Sequence, residues 1–393
     1  MKDKALLHGA SKRIGGLTQS YIRKMTYECN RFNGINLGQG ICDLPTPPEI
    51  LEATSAAILA DKSVYSPLAG IDELRAQIAK KARNYNKISQ AQSENVIVTI
   101  GSTGAFNSVV QSLFDPGDEF ILFEPYYGYH LNTLKVGGLI PKFVSMGLDE
   151  DRNWTITREQ LEAVVTEKTK GIMCCTPSNP SGKILSRPEL EMIADFCQEH
   201  DLLAVTDEIY EYIVYSGSEH ISLASIPGMW DRTITMSGFS KTFSITGWRL
   251  GFIVAPTHLT TPIGLINDLF YVCAPTPLQY GIAAGMAALD DDYYSKMSAD
   301  YEKKRDLFCG VLTDIGLRPH IPNGAYYVLA NIERLGLEDD KKAAMHILES
   351  VGVASVPGSS FFMSDIGKTL TRFCYAKEWD VLEKACEQLS KLA

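Results

Sequence analysis

Between residues 90 and 260, short apolar or β-branched runs alternate with longer stretches in which apolar residues recur at helical spacing. The runs are 96–100, 120–123, 171–175, 203–206, 233–236 and 251–254. Continuous apolar runs suit strands buried on both faces, and the amphipathic stretches between them supply the covering helices. The pattern predicts an α/β fold with a mostly parallel sheet flanked by helices. Ser186, followed by Pro188 and Glu189, reads as an N-cap, an early-turn proline and a capping box. Asp115-Pro116-Gly117-Asp118 reads as a turn before a strand.

After about residue 290 the texture changes. A long charged helix over 294–315, a strand at 326–330, two further helices and a strand at 372–376 predict a smaller α+β domain. The opening segment holds Gly34, Gly38, Gly40, Pro45, Pro47 and Pro48, which predicts an extended arm rather than a regular element. The expected division is an N-terminal arm joining the small domain (1–45), a large domain (46–290) and the small C-terminal domain (291–393).

Composition narrows the function. Of 393 residues, 45% are hydrophobic and 21% charged, the balance of a soluble globular protein. With 37 basic against 47 acidic residues the net charge is -10, which disfavours nucleic acid as a partner. No apolar run approaches the roughly 18 residues of a membrane span. The first residues include Lys2, Lys4, Lys12 and Arg13 but no apolar stretch fit for a signal peptide, so a cytoplasmic protein is expected. Nine cysteines, with Cys174 and Cys175 adjacent and no CxxC or zinc-ligand spacing, predict reduced and mostly buried thiols and no metal site.

In an open parallel sheet, ligands bind beyond the carboxyl ends of the strands. The residues following the predicted strands are polar. Gly101-Ser102-Thr103-Gly104-Ala105 enters a helix with free N–H groups that suit a phosphate, although a turn of this composition is by itself more often a tight strand-to-helix connection. Next come Asn179-Pro180-Ser181-Gly182, Asp207-Glu208-Ile209-Tyr210 and Ser237-Gly238-Phe239-Ser240-Lys241. Taken singly these are turns, a helix cap and a solvated lysine. Taken together they aim an amide, a carboxylate, a phenol, hydroxyls and an amine at one crevice. Pyridoxal chemistry needs that inventory: an amine to bind the aldehyde, a carboxylate for the pyridine nitrogen and ligands for the phosphate.

The run from Gly238 through Lys241, Thr246, Gly247, Trp248, Arg249 and Leu250 to Gly251 resembles, position for position, the cofactor-lysine signature of class I and II aminotransferases. These are fold-type I enzymes that use pyridoxal 5'-phosphate. The resemblance implies that Lys241 carries the cofactor as a Schiff base and acts as the catalytic base, and that Asp207 partners the pyridine nitrogen. It implies that Asn179 and Tyr210 bind the ring hydroxyl oxygen, that Arg249 and the turn of Ser102, Thr103 and Gly104 hold the phosphate, and that Tyr127 covers the ring. Gly238 departs from the serine common three residues before the lysine, so Ser237 or Ser240 is expected to supply that hydroxyl. Arg372, in Arg372-Phe373-Cys374-Tyr375-Ala376, resembles the arginine that binds the substrate carboxylate, and Gly38 falls in the arm segment near the substrate. Tyr65 is similar to the tyrosine that reaches the partner's phosphate, which implies a homodimer.

The implied reaction moves the α-amino group of an L-amino acid to a 2-oxo acid by a ping-pong cycle. The segment 269–275 has no arginine for a distal carboxylate, which weakens an aspartate-type alternative and favours an uncharged or aromatic side chain. The 372–376 strand is most similar to the kynurenine, glutamine and methionine aminotransferases. A β-lyase of the cysteine-conjugate type or a cyclase would use the same lysine and aspartate and remains an alternative.

Overall fold

Side-chain alternation decides which way each strand faces. In Glu119–Glu124, Phe120 and Leu122 enter one buried cluster while Ile121 and Phe123 enter another on the opposite face. The strand is therefore buried on both sides, as its continuous apolar run predicts. The computed structural model describes Ser11, Ile14, Leu17 and residues 20–393; Lys2, Lys4, Lys12 and Arg13 lie outside the described residues.

Seven strands form the main sheet: β1 (Val96–Thr99), β2 (Glu119–Glu124), β3 (Ile140–Ser145), β4 (Thr169–Cys175), β5 (Leu203–Asp207), β6 (Thr233–Gly238) and β7 (Gly251–Val254). Their order is β1-β7-β6-β5-β4-β2-β3. Only β7 runs antiparallel to its neighbours. β3 was not legible in the hydrophobic pattern, because it is an edge strand with Ile140 exposed and Lys142 half-buried. Helices Gly101–Leu113, Gly128–Gly137 and Thr257–Tyr271 cover one face, and Arg187–Glu199, Asp72–Asn84 and Thr276–Ala288 cover the other. The Ser186 hydroxyl accepts from the Glu189 N–H, and the Glu189 carboxylate accepts from the Ser186 N–H at 2.8 Å, closing the expected capping box.

The second sheet is antiparallel, in the order Pro319–His320, Tyr327–Asn331, Leu370–Cys374, Val356–Pro357. Helices Asp291–Asp314, Asp340–Val351 and Trp379–Leu389 accompany it. The long helix starts three residues before the apolar pattern, since Asp290 caps it by accepting from the Tyr293 N–H. Arg372 lies mid-strand opposite Leu329, not at a strand start. Within the expected arm, Tyr21–Arg31 is a helix, capped by Ser20 and anchored by buried Met25 and Cys29. Ile35–Asn36 then pairs in parallel with Val353–Ala354, tying the arm to the C-terminal part. All nine cysteines are free, seven of them buried. Among the described residues no helix is long and apolar enough to cross a membrane.

Candidate active site

The carboxyl ends of β4, β5 and β6 deliver Asn179, Asp207 and Lys241 to one cavity of about 210 Å3, also lined by Ser102, Thr103, Tyr127, Tyr210, Ser240, Arg249 and Arg372. Burial pushes the Lys241 amine down to about 8, with the nearby Arg249 and Arg372 charges acting in the same direction. Its Nζ donates to the Gly40 carbonyl at 3.1 Å. Buried Asp207 is held by His130, whose Nε2 lies 2.9 Å from Oδ2, and its other oxygen accepts from the Ile209 N–H at 3.3 Å. Burial raises the Tyr210 phenol, so at neutral pH it keeps its proton; its hydroxyl lies 3.0 Å from that of Tyr327.

Arg372 is 1% exposed and has no carboxylate partner among the described residues. Nη1 donates to Asn179 Oδ1 at 2.8 Å and Nη2 to the Gly38 carbonyl at 2.6 Å, while Nε has no partner. The guanidinium packs 4.4 Å from the Tyr327 ring and 4.7 Å from the Phe361 ring. A buried, uncompensated cation is costly on its own and calls for an anion.

A second anion site faces it. Gly101 opens helix Gly101–Leu113 at φ +66, and a Cβ there would lie 2.7 Å from Arg249 Nη2. Arg249 itself sits in the left-handed region at φ +59, with Nη1 donating to the Thr246 carbonyl at 2.9 Å. A guanidinium laid against a helix N-terminus concentrates positive charge where a phosphate would bind. The donor set thus fits pyridoxal 5'-phosphate: an amine of lowered pKa, a fixed carboxylate and a cradle that only glycine leaves open.

Several expected residues stand apart. Gly104 does not line the cavity, and its N–H bonds back to the Ile100 carbonyl at 3.3 Å inside the helix. Of the two serines expected near the phosphate, Ser240 lines the cavity and Ser237 does not. Ser237 is fully buried, and its hydroxyl donates to Glu211 Oε1 at 2.6 Å, with the Glu208 carbonyl oxygen 3.2 Å away. That network, closed by the Lys81–Glu211 ion pair, lies behind the sheet ends. Gly38 does not line the cavity but its carbonyl accepts from Arg372, and Tyr65 is 81% exposed outside this chain's cavity. Sequence reading missed His130, Tyr327, Gln39, Gly40 and Arg23. The first two sit in ordinary apolar segments, and only tertiary packing brings them to Asp207 and Tyr210.

The family model described as aminotransferase class I and II matches residues 33–389. Kynurenine–oxoglutarate transaminase 3 of Rattus norvegicus is 34% identical, over 98% of this chain and 90% of that one. An aspartate aminotransferase of Pyrococcus abyssi is 34% identical over 97% of each. The solved N-succinyldiaminopimelate aminotransferase of Mycobacterium tuberculosis superposes with a TM-score of 0.94 at 30% identity, over 98% of this chain and all of that one. With likeness along nearly its whole length, the chain belongs to the class I and II aminotransferases, fold-type I enzymes that use pyridoxal 5'-phosphate to move an amino group to a 2-oxo acid.

Proposed function

We propose that this cavity transfers the amino group of an L-amino acid with an uncharged or aromatic side chain to a 2-oxo acid. The observation that carries the reading is the meeting, in one cavity, of an amine lowered to about 8 by desolvation and a buried guanidinium without a carboxylate partner among the described residues. Bound there, pyridoxal 5'-phosphate supplies an aldehyde that condenses with amines and a ring that accepts electron density. Arg249, the Ser102–Thr103 turn and Ser240 are the residues to hold its phosphate. Asp207, oriented by His130, is the partner for the pyridine nitrogen, and Asn179 and Tyr210 for the ring hydroxyl. Tyr127 supplies the covering ring.

Arg372 grips the substrate carboxylate through two parallel hydrogen bonds and so fixes the direction of the α-hydrogen. Lys241 Nζ, as a free amine, would be the base that takes the α-proton of the substrate and gives it back. A base near pKa 8 is poised for both tasks at neutral pH. The absence of arginine from 269–275 supports an uncharged or aromatic donor.

The wider reading follows the same resemblance. The working unit is a cytoplasmic homodimer in which Tyr65 reaches the partner's phosphate, and the chain divides into an arm (1–45), a large cofactor-binding domain (46–290) and a small domain (291–393). Exposed Leu59, Val64, Tyr65, Leu265, Leu269 and Phe270 support a covered face. Thr276 donates to the Val64 carbonyl at 2.8 Å and Leu68 lies against Gly264, so the segment around Val64 and Tyr65 adjoins the helix carrying Leu265, Leu269 and Phe270.

The test is product analysis of the purified protein with common amino acids, using pyruvate and 2-oxoglutarate as acceptors. Equal amounts of a new 2-oxo acid and a new amino acid are expected. Pyruvate and ammonia formed from a β-substituted donor without any acceptor would show elimination instead.

A further inference from the structure

The cavity continues outward into a vestibule of about 600 Å3, with Ser20, Ile22, Arg23, Tyr127 and Tyr129 lining both spaces. Its described lining carries three cations, Arg23, Lys135 and Lys341, and no Asp or Glu. Arg23 stands at the junction, and its guanidinium has neither a carboxylate nor a carbonyl partner among the described residues. Its placement is also unfavourable for stability. Helix Tyr21–Arg31 has no acidic residue in its first turn and instead puts Arg23 and Lys24 there, where the helix dipole repels cations. The same two charges, dipole and guanidinium, attract one anion between them.

We propose that Arg23 is the distal-anion residue of the substrate site, taking the second carboxylate of a dicarboxylic 2-oxo acid or amino acid whose first carboxylate is on Arg372. This rests on the reading that Arg372 binds the α-carboxylate. It supplies from the N-terminal helix the cation that segment 269–275 lacks. Arg23 is exposed, so it turns to solvent without cost when the side chain is apolar and meets the carboxylate when it is not. Tyr21, Tyr126, Tyr129 and Phe361 along the vestibule offer the apolar body that an aromatic donor needs. One ping-pong site thereby serves an aromatic donor and a dicarboxylic acceptor in turn.

The test uses the holoenzyme with one donor and two acceptors, 2-oxoglutarate and pyruvate, in wild type, Arg23→Ala and Arg23→Lys. The ratio of kcat/KM for 2-oxoglutarate over pyruvate should fall roughly 10- to 100-fold in Arg23→Ala, the range for losing a hydrogen bond to a charged group, and recover in part in Arg23→Lys. Calorimetric titration with glutarate and butyrate should show the same loss of preference without turnover. An unchanged ratio in both measurements, or equal losses on both ligands, would overturn the subsite. If the wild type turned over neither acceptor, the transfer reading beneath it would fall, and the glutarate-to-butyrate ratio would still decide the role of Arg23.

Discussion

At the scale of single residues, burial and uncompensated charge mark the chemistry. Lys241 is lowered from 10.5 to about 8, so below pH 8 its burial cost is present in full, because the amine is protonated in the folded and unfolded states alike. Between pH 8 and 10.5 the unfolded chain binds the extra proton, and stability gained from this group rises with pH. In cofactor-free protein, reductive methylation of Lys241 followed by mass spectrometry should reach half its maximal rate near pH 8; a midpoint near that of surface lysines would refute the burial argument. Arg372 makes the complementary case. Truncation to Ala should cost about 2–5 kcal/mol in kcat/KM on α-amino acids, the scale for removing one partner of a buried charge pair. Arg372→Lys should recover little, since an ammonium cannot form two parallel bonds to a planar carboxylate. Equal losses on an amino acid and on its decarboxylated amine would show that Arg372 supports the fold instead. Lys241, Asp207 and Arg372 were legible because they stand in long motifs. His130 and Tyr327 were not, for each matters only through a contact with a residue more than 70 positions away.

Among the elements, strands buried on both faces announced themselves by unbroken apolar runs, and helices by their caps. β3 escaped because a half-exposed edge strand with Pro141 and Lys142 has neither signal. Helix Tyr21–Arg31 escaped because the glycines and prolines after it dominate the opening segment. The element with most consequence is the N-terminus of helix Gly101–Leu113, where only glycine accepts both φ +66 and the approach of Arg249. Gly101→Ala should cost roughly 1–2 kcal/mol in folding from the left-handed backbone alone. The crowded guanidinium should also weaken phosphate binding. Cofactor affinity, measured by fluorescence titration of the cofactor-free variant with pyridoxal 5'-phosphate and with pyridoxal, should therefore fall for the phosphorylated form and change little for the other. An equal fall for both would remove the helix terminus and Arg249 from the phosphate site.

On the scale of the whole molecule, two sheets and an arm meet around one cavity: the main sheet presents the amine and the carboxylate, the second sheet presents Arg372, and the arm presents Gly38, Gly40 and Arg23. Which segments would meet was legible only through the family signature, because no local pattern says that residue 38 touches residue 372. The exposed apolar face around Tyr65 should be covered in a dimer. Val64→Asp together with Leu269→Asp should shift sedimentation toward the monomer and lower cofactor retention; a monomeric wild type would contradict that arrangement. The most direct test of the central claim is chemical. The purified enzyme is reduced with borohydride, digested and mapped by mass spectrometry. A pyridoxyl label on the peptide containing Lys241, near one per chain, is the result this account predicts, and a label on any other lysine would contradict it.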